Sequence, residues 1–240
     1  MSQVVTVRRR ALEASEEKAQ LLRRAFAESA TLVVNIISSP GSGKTTLLEA
    51  TVTRLAASHR CAVIEGDLAT ERDADRIRAL GVPAHQILTG GACHLDARQI
   101  ETALEAAPLL PTDILFIENV GNLICPTTYD LGEDFKVAVL SVAEGDDKPF
   151  KYPAIFARAE VTVISKIDLL PYLPFSVSVV EEQLRALNPE LAEAQRDGDD
   201  QLLACPACGA YYHWHRWIPG GSDDVLRSYL GLLCQGKSDF

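Results

Sequence analysis

The chain has 240 residues, enough for one large α/β domain or two small ones, with a core that needs no disulfide staples. Its 47% apolar and 23% charged residues are ordinary for a globular protein, and a net charge of −10 argues against nucleic acid or an anionic membrane as the main partner. No apolar run is long enough to cross a bilayer and no apolar signal core follows Arg8-Arg9-Arg10, so a cytoplasmic location is expected.

Residues 11–28 mix Leu12, Leu21, Leu22 and Phe26 with charges, which predicts a solvent-facing helix leaning on the domain. Residues 31–37 form a nearly continuous β-branched apolar run, suited to an interior strand covered on both faces. Similar runs recur at 61–64, 114–117, 137–140 and 161–164, and helical stretches at 45–57, 71–80 and 96–107 fall between several of them. This alternation predicts an α/β fold with a mostly parallel, doubly wound sheet flanked by helices, whose ligands gather at the carboxyl ends of the strands. A polar break at 196–201 precedes a stretch at 205–217 dense in Cys, His, Tyr and Trp. Residues 222–233 then read as a closing helix capped by Ser222 or Asp223. The expected division is an N-terminal helical extension over 1–29, a nucleotide-binding domain over 30–195 and a divergent C-terminal segment over 196–240.

Between the first strand and the first interior helix lies Ser39-Pro40-Gly41-Ser42-Gly43-Lys44-Thr45-Thr46. This meets the P-loop pattern, with Ser38 at the position of its first glycine. Gly41 and Gly43 let the backbone turn its N–H groups toward phosphates, together with those of Ser42 and Thr46, and the following helix adds the positive end of its dipole. Lys44 is expected on the β- and γ-phosphates and the Thr45 hydroxyl on Mg2+. Two acidic strand ends complete a magnesium site: Glu65-Gly66-Asp67 and Glu118-Asn119-Val120-Gly121. There Asp67 and Glu118 hold the ion directly or through water, and the Gly121 N–H meets the γ-phosphate. Polar strand ends are common, so the P-loop upstream is what gives these carboxylates their weight.

Ser165-Lys166-Ile167-Asp168 follows the last apolar run and resembles the Asn-Lys-x-Asp element of GTPases, with Ser165 in the Asn position. Guanine presents two donors on one edge, N1–H and the 2-amino group, and one carboxylate accepts from both. Adenine lacks that pair. Asp168 is the expected acceptor, with the stem of Lys166 packed over the base. GTP is therefore the expected nucleotide, against the plainer reading of a strand running into a charged loop. No catalytic arginine can be placed, so slow intrinsic hydrolysis is expected.

Outside an oxidising compartment the six cysteines are read as thiols, available for metal or redox chemistry. Thr89-Gly90-Gly91-Ala92-Cys93-His94-Leu95-Asp96 places a thiol beside an imidazole, and Cys125 follows Glu118 in the stretch expected to move with the γ-phosphate. Such ligands suit Zn2+, Cu+ or Ni2+, and three of them leave a coordination position for water, a client or a second subunit. Spacing alone favours the plainer reading, a buried thiol and an unrelated histidine.

The segment from Ser38 to Thr46, Ile64-Glu65-Gly66-Asp67, the Thr89–Ala97 stretch and Glu118-Asn119-Val120-Gly121-Asn122-Leu123-Ile124-Cys125-Pro126 resemble, in order, the motifs of the HypB family. Leu131-Gly132-Glu133, the run from Ser141 to Pro149 and Lys151-Tyr152-Pro153 continue the resemblance, which covers about residues 30–172. It implies a dimerising GTPase of nickel–iron hydrogenase maturation that binds Ni2+ or Zn2+ through Cys93, His94 and Cys125 near the dimer interface. It also implies a small zinc-containing nickel metallochaperone as partner and the hydrogenase large-subunit precursor as client.

Two features depart from the family pattern. No cysteine or histidine precedes His59, so nickel storage at the N-terminus is not expected. Near the C-terminus, Cys205-Pro206-Ala207-Cys208, His213 and His215 stand where the family has a guanine loop. That cluster reads as a second metal site, as a divergent tail, or as a segment altered by a sequence error. Rival functions are a metallochaperone GTPase for urease or a cobalamin enzyme, a nucleotide-regulated zinc-binding protein without turnover, and a small-molecule kinase.

Overall fold

The computed structural model describes residues 3–67, 72–187, 203–204 and 211–214; for residues 3–12 and the last two stretches only the backbone is described. The elements run α1 (Gln3–Glu28), β1 (Leu32–Ser38), α2 (Lys44–Leu55), β2 (Cys61–Asp67), α3 (Arg72–Arg78), β3 (Ala84–Leu88), α4 (Ala97–Ala106), β4 (Ile114–Glu118) and β5 (Phe135–Ser141). They continue with α5 (Lys148–Lys151), α6 (Pro153–Arg158), β6 (Val161–Ser165), α7 (Val177–Leu187), β7 (Leu203–Ala204) and β8 (Tyr211–Trp214). Strand order is β3-β2-β4-β1-β5-β6-β8-β7. The first six strands pair in parallel; β8 pairs antiparallel with β6 and with β7.

Alternation along each strand sorts the core into two faces. Val34 and Ile36 of β1, Phe116 of β4 and Val137 and Val139 of β5 pack with Leu48, Val52 and Leu55 of α2 and Ile77 of α3. On the opposite face, Val33, Ile64, Leu115 and Ile117 pack with Ala19, Leu22 and Phe26 of α1 and with Ile100 and Ala103 of α4. Further along that face Ala138, Leu140 and Ile164 meet Ile155 and Phe156 of α6 and Val180 and Leu184 of α7. Both faces of the parallel sheet are dry, which is why its strands read as unbroken apolar runs. No described helix is long and apolar enough to cross a membrane.

Several elements differ from the sequence expectation. Helix α1 begins at Gln3 rather than near residue 11, because no glycine or proline interrupts the chain before Pro40. Strand β3 was not expected: it lies at the outer side of β2, only Gln86 of it is buried, and its residues carry no apolar run. Helix α7 closes the described part of the domain, and the backbone of residues 211–214 then returns to the sheet beside β6. The break at 196–201 and the closing helix at 222–233 lie outside the described residues.

Candidate functional site

The P-loop joins β1, which lies between β4 and β5, to α2. Gly41 and Gly43 have φ of 72° and 94°, left-handed values that a Cβ disfavours. Nothing lies within 4 Å of where either Cβ would stand, so conformation rather than space requires glycine at both. Gly43 is the N-cap of α2 and no side chain caps it, so the first amides of the helix face the loop. An anion belongs at such an end.

Lys44 is 7% exposed, and its Nζ donates to Ser38 Oγ at 3.1 Å and lies 3.9 Å from Glu118 Oε1. Thr45 Oγ1 donates to the same Glu118 oxygen at 3.0 Å. The Ser42 hydroxyl faces Ser39 O at 2.8 Å and Glu144 Oε1 at 2.6 Å. Thr46 is exposed, with Arg76 Nη2 3.4 Å from its hydroxyl.

Sequence reading paired Glu118 with Asp67, but the acid in register with Glu118 across β2 and β4 is Glu65. Strand alternation puts Asp67, two residues on, on the same face. Glu65 is 1% exposed, and its carboxyl is pushed up to about 10 by burial first and then by Glu118 and Asp73, against the pull of Lys44. Burial also raises Glu118, opposed by Lys44 and by the Thr45 hydroxyl. A proton held by Glu65 lets one carboxyl donate to the other, where two carboxylates would repel. Glu65 Oε1 and Glu118 Oε2 remain buried without a partner among the described residues. Spare oxygen acceptors beside a threonine hydroxyl fit a hard cation such as Mg2+.

The Ser165–Asp168 segment is fastened to the P-loop. Ser165 Oγ donates to Ser42 O and Lys166 Nζ to Gly41 O, each at 2.7 Å. Lys166 itself is left-handed, with φ of 57°, and turns the chain so that Asp168 is exposed on the following 3-10 turn. Gly121 packs on the other side of the loop: a Cβ there would stand 2.9 Å from both Cα and N of Pro40.

The chain brings Cys93, His94 and Cys125 together, with their ligand atoms all within 4.8 Å of one another and each residue half-buried. Gly90 and Gly91 (φ 60° and 101°) turn the loop after β3, and Thr89 closes it by donating to Ala92 O at 2.8 Å. Opposite, Asn122 Oδ1 accepts from the Ile124 and Cys125 amides at 2.8 and 3.4 Å, presenting Cys125 at the start of a 3-10 turn. The His94 ring stacks on Tyr129, with centroids 3.8 Å apart, and its Nδ1 lies 3.6 Å from Cys93 Sγ. Burial lowers the His94 pKa, which favours the neutral imidazole that ligates metals. The Cys125 thiol is raised by its hydrogen bond with Cys93. Soft sulfur and imidazole donors fit Ni2+ or Zn2+. The stacking of Tyr129 and the pairing of Glu65 with Glu118 have no counterpart in the sequence pattern, because ring stacking and strand register leave no local signal. Cys205, Cys208 and His215 lie outside the described residues, and of His213 only the backbone, opposite Thr162, is described.

A glycine-turned phosphate loop on an inner strand of a parallel sheet makes this a nucleotide-binding protein of the P-loop class. Comparison with known proteins narrows the class: the family model for the CobW/HypB/UreG nucleotide-binding domain matches residues 11–194. The hydrogenase maturation factor HypB of Escherichia coli K12 is 53% identical over 197 residues, covering 80% of this chain and 68% of that protein. The hydrogenase/urease maturation factor HypB of Helicobacter hepaticus is 48% identical over 182 residues, covering 73% and 74%. The crystal structure of HypB from Helicobacter pylori in complex with nickel superposes with a TM-score of 0.70 at 46% identity, covering 74% of this chain and 83% of that one. The chain belongs to the HypB family of hydrogenase maturation factors.

Proposed function

We propose that the chain is a GTP-hydrolysing metallochaperone that carries nickel, or zinc, on Cys93, His94 and Cys125 and drives nickel insertion into the large-subunit precursor of nickel–iron hydrogenase. The observation that carries this reading is the three-residue cluster, two of whose ligands precede Leu95 while the third hangs from the strand end bearing Glu118. Lys44 and the amides of Gly41, Ser42, Gly43, Thr45 and Thr46 would hold the phosphates; Asp168, with Lys166, would read the guanine edge. Thr45, Asp67 and Glu118 would hold Mg2+, which neutralises charge on the transferring phosphoryl group when bound. Lys44 is buried on its counter-charge and so is pre-aimed at the phosphate site. Asp67 is a candidate to orient the attacking water. Two copies would join in the GTP state, and a small zinc-containing nickel metallochaperone would exchange metal with them.

The test measures nickel binding and GTP turnover on the same preparation. Nickel sulfate titrated into the parent should bind, and Cys125→Ala should weaken it at least roughly tenfold while leaving GDP affinity unchanged. Equal nickel binding by parent and variant would remove the cluster from the function. Absence of GTP turnover, with the hydrogenase precursor present, would reduce the chain to a nucleotide-regulated metal binder.

A further inference from the structure

Asn119 follows Glu118 at the end of β4 and is 1% exposed. A buried amide needs partners for both its ends. Its Oδ1 accepts from the backbone N–H of Leu95 at 3.2 Å and of Val120 at 3.0 Å, and its Nδ2 donates to Asn35 Oδ1 at 3.3 Å. Asn35, fully buried in β1, donates onward from Nδ2 to Glu133 Oε1 at 3.1 Å, and Lys136 pairs with the same carboxylate. This chain fixes both amides. Two N–H donors face Asn119 Oδ1 and a carboxylate faces Asn35 Nδ2, so flipping either amide sets like against like.

Leu95 is the residue after His94. Its side chain is fully buried against Gly66, where a Cβ would stand 2.8 Å from Leu95 Cδ1. Gly66 separates Glu65 from Asp67. The residue adjoining the thiolate–imidazole cluster therefore touches both acidic strand ends, with its amide on the Glu118 side and its side chain on the Asp67 side. Asn119 is the branch point: its backbone leads through Val120 and Gly121 to Cys125, and its side chain holds the arm that carries Cys93 and His94.

We propose that Asn119 is a positioning residue that makes the metal cluster respond to the nucleotide, by tying the Cys93–His94 arm to the strand end that also carries Glu118 and Cys125. The inference rests on the proposed function of both sites. A shift of Glu118, whose Oε1 accepts from Thr45 Oγ1 at 3.0 Å, reaches Cys125 through the covalent chain and Leu95 through one hydrogen bond. The His94–Tyr129 stack and the Cys93–Cys125 hydrogen bond also join the two arms, but neither reaches the Glu118 strand end directly. Without the Asn119 bond the separation of Cys125 from Cys93 and His94 follows the phosphate site less closely. Linkage then requires that nickel lose its effect on nucleotide affinity to the same degree.

Nickel sulfate is titrated into the full chain with GDP and with a non-hydrolysable GTP analogue, for the parent, Asn119→Ala and Asn35→Ala. The parent's two nickel affinities should differ by at least about fivefold, and Asn119→Ala should bring the ratio below about twofold while still binding nickel and each nucleotide. Asn35→Ala breaks the same buried network one step further from the cluster and should lose stability but keep the parent's ratio. An unchanged ratio in Asn119→Ala overturns the proposal, as does loss of the ratio in both variants, which marks general loosening. A parent with no ratio overturns the switch reading of the two sites, and this inference with it. Should Asn119→Ala fail to fold, the Leu95 amide resonance of the nickel-free parent decides: it should shift between GDP and the Mg2+-bound analogue, and an identical resonance overturns the proposal.

Discussion

Lys166 Nζ donates a 2.7 Å hydrogen bond to the carbonyl of Gly41, so the residue that should cover the base also clamps the loop that should hold the phosphates. Lys166 is exposed, so solvent weakens the bond, and Lys166→Met should reduce nucleotide affinity about tenfold for guanosine and xanthosine triphosphates alike. Asp168→Asn should behave differently. An amide donates to the 2-oxo group of xanthine and accepts from its N1–H, but it cannot accept both donors of guanine. Competition binding should show preference for GTP lost on the order of 100-fold and moved to xanthosine triphosphate. Equal loss for both nucleotides in Asp168→Asn would remove Asp168 from base reading.

The stacked Tyr129 ring fixes the plane of the His94 imidazole. Groups that orient a metal ligand typically change affinity by about 10–100-fold when removed. Tyr129→Ala should therefore weaken nickel binding about tenfold. Tyr129→Phe, which keeps the ring, should match the parent in the same titration, whereas a loss in both would implicate the hydroxyl instead of the stack.

Thiol reactivity should separate the described cysteines. Cys61 is 7% exposed, and burial, with Asp113 nearby, pushes its thiol up to about 11. Cys93 and Cys125 are half-buried. Peptide-mapped alkylation by iodoacetamide at pH 8 should modify Cys93 and Cys125 at least roughly tenfold faster than Cys61, and nickel should slow only those two. Protection of Cys61 by nickel would contradict the cluster.

In the protein free of nucleotide and magnesium, the Glu65 carboxyl is raised from 4.5 to about 10, chiefly by burial. The folded state then binds more protons than the unfolded chain across that window, so stability is full below the lower value and is lost as pH rises toward the upper one. Glu65→Gln keeps a donor and removes the titration. Its melting temperature should exceed the parent's at pH 9, with the gap closing toward pH 5. A gap that does not change with pH would mean that Glu65 is ionised in the folded protein.

The fold was legible where burial is two-sided. Val33 to Ile37, Leu115 to Ile117 and Val137 to Leu140 are apolar at nearly every position because both faces of their strands are covered. Strand β3 lies at the outer side of β2, with only Gln86 buried, and left no such run. The phosphate loop was legible because glycine, lysine and threonine act there as neighbours in sequence. The Glu65–Glu118 pair and the Asn119–Leu95 bond depend on strand register and loop closure, which a linear pattern does not carry. In sequence Ser165 reads only as a departure from the Asn-Lys-x-Asp pattern; its hydroxyl on Ser42 O gives that departure a structural role.

Gly121 is a glycine for want of space, since its φ lies outside the left-handed region and its Cβ would meet backbone atoms of Pro40 at 2.9 Å. Backbone cannot rotate away as a side-chain end can, so Gly121→Ala must displace either the P-loop or the stretch leading to Cys125. Nucleotide affinity should fall about tenfold, by roughly the 1.4 kcal/mol that a small overpacking costs. Gly132→Ala is the comparison. Gly132 has φ of 82° and a Cβ there would meet Leu22 Cβ at 2.9 Å, well away from the P-loop in the packing of α1. That variant should lower the melting temperature and leave nucleotide affinity as it was. Paired measurements of melting and of fluorescent GDP binding distinguish the two. If Gly121→Ala lowers only the melting temperature, the contact with Pro40 is packing alone, and movement of the Cys125 loop must reach the phosphate site through Glu118 and Thr45 instead.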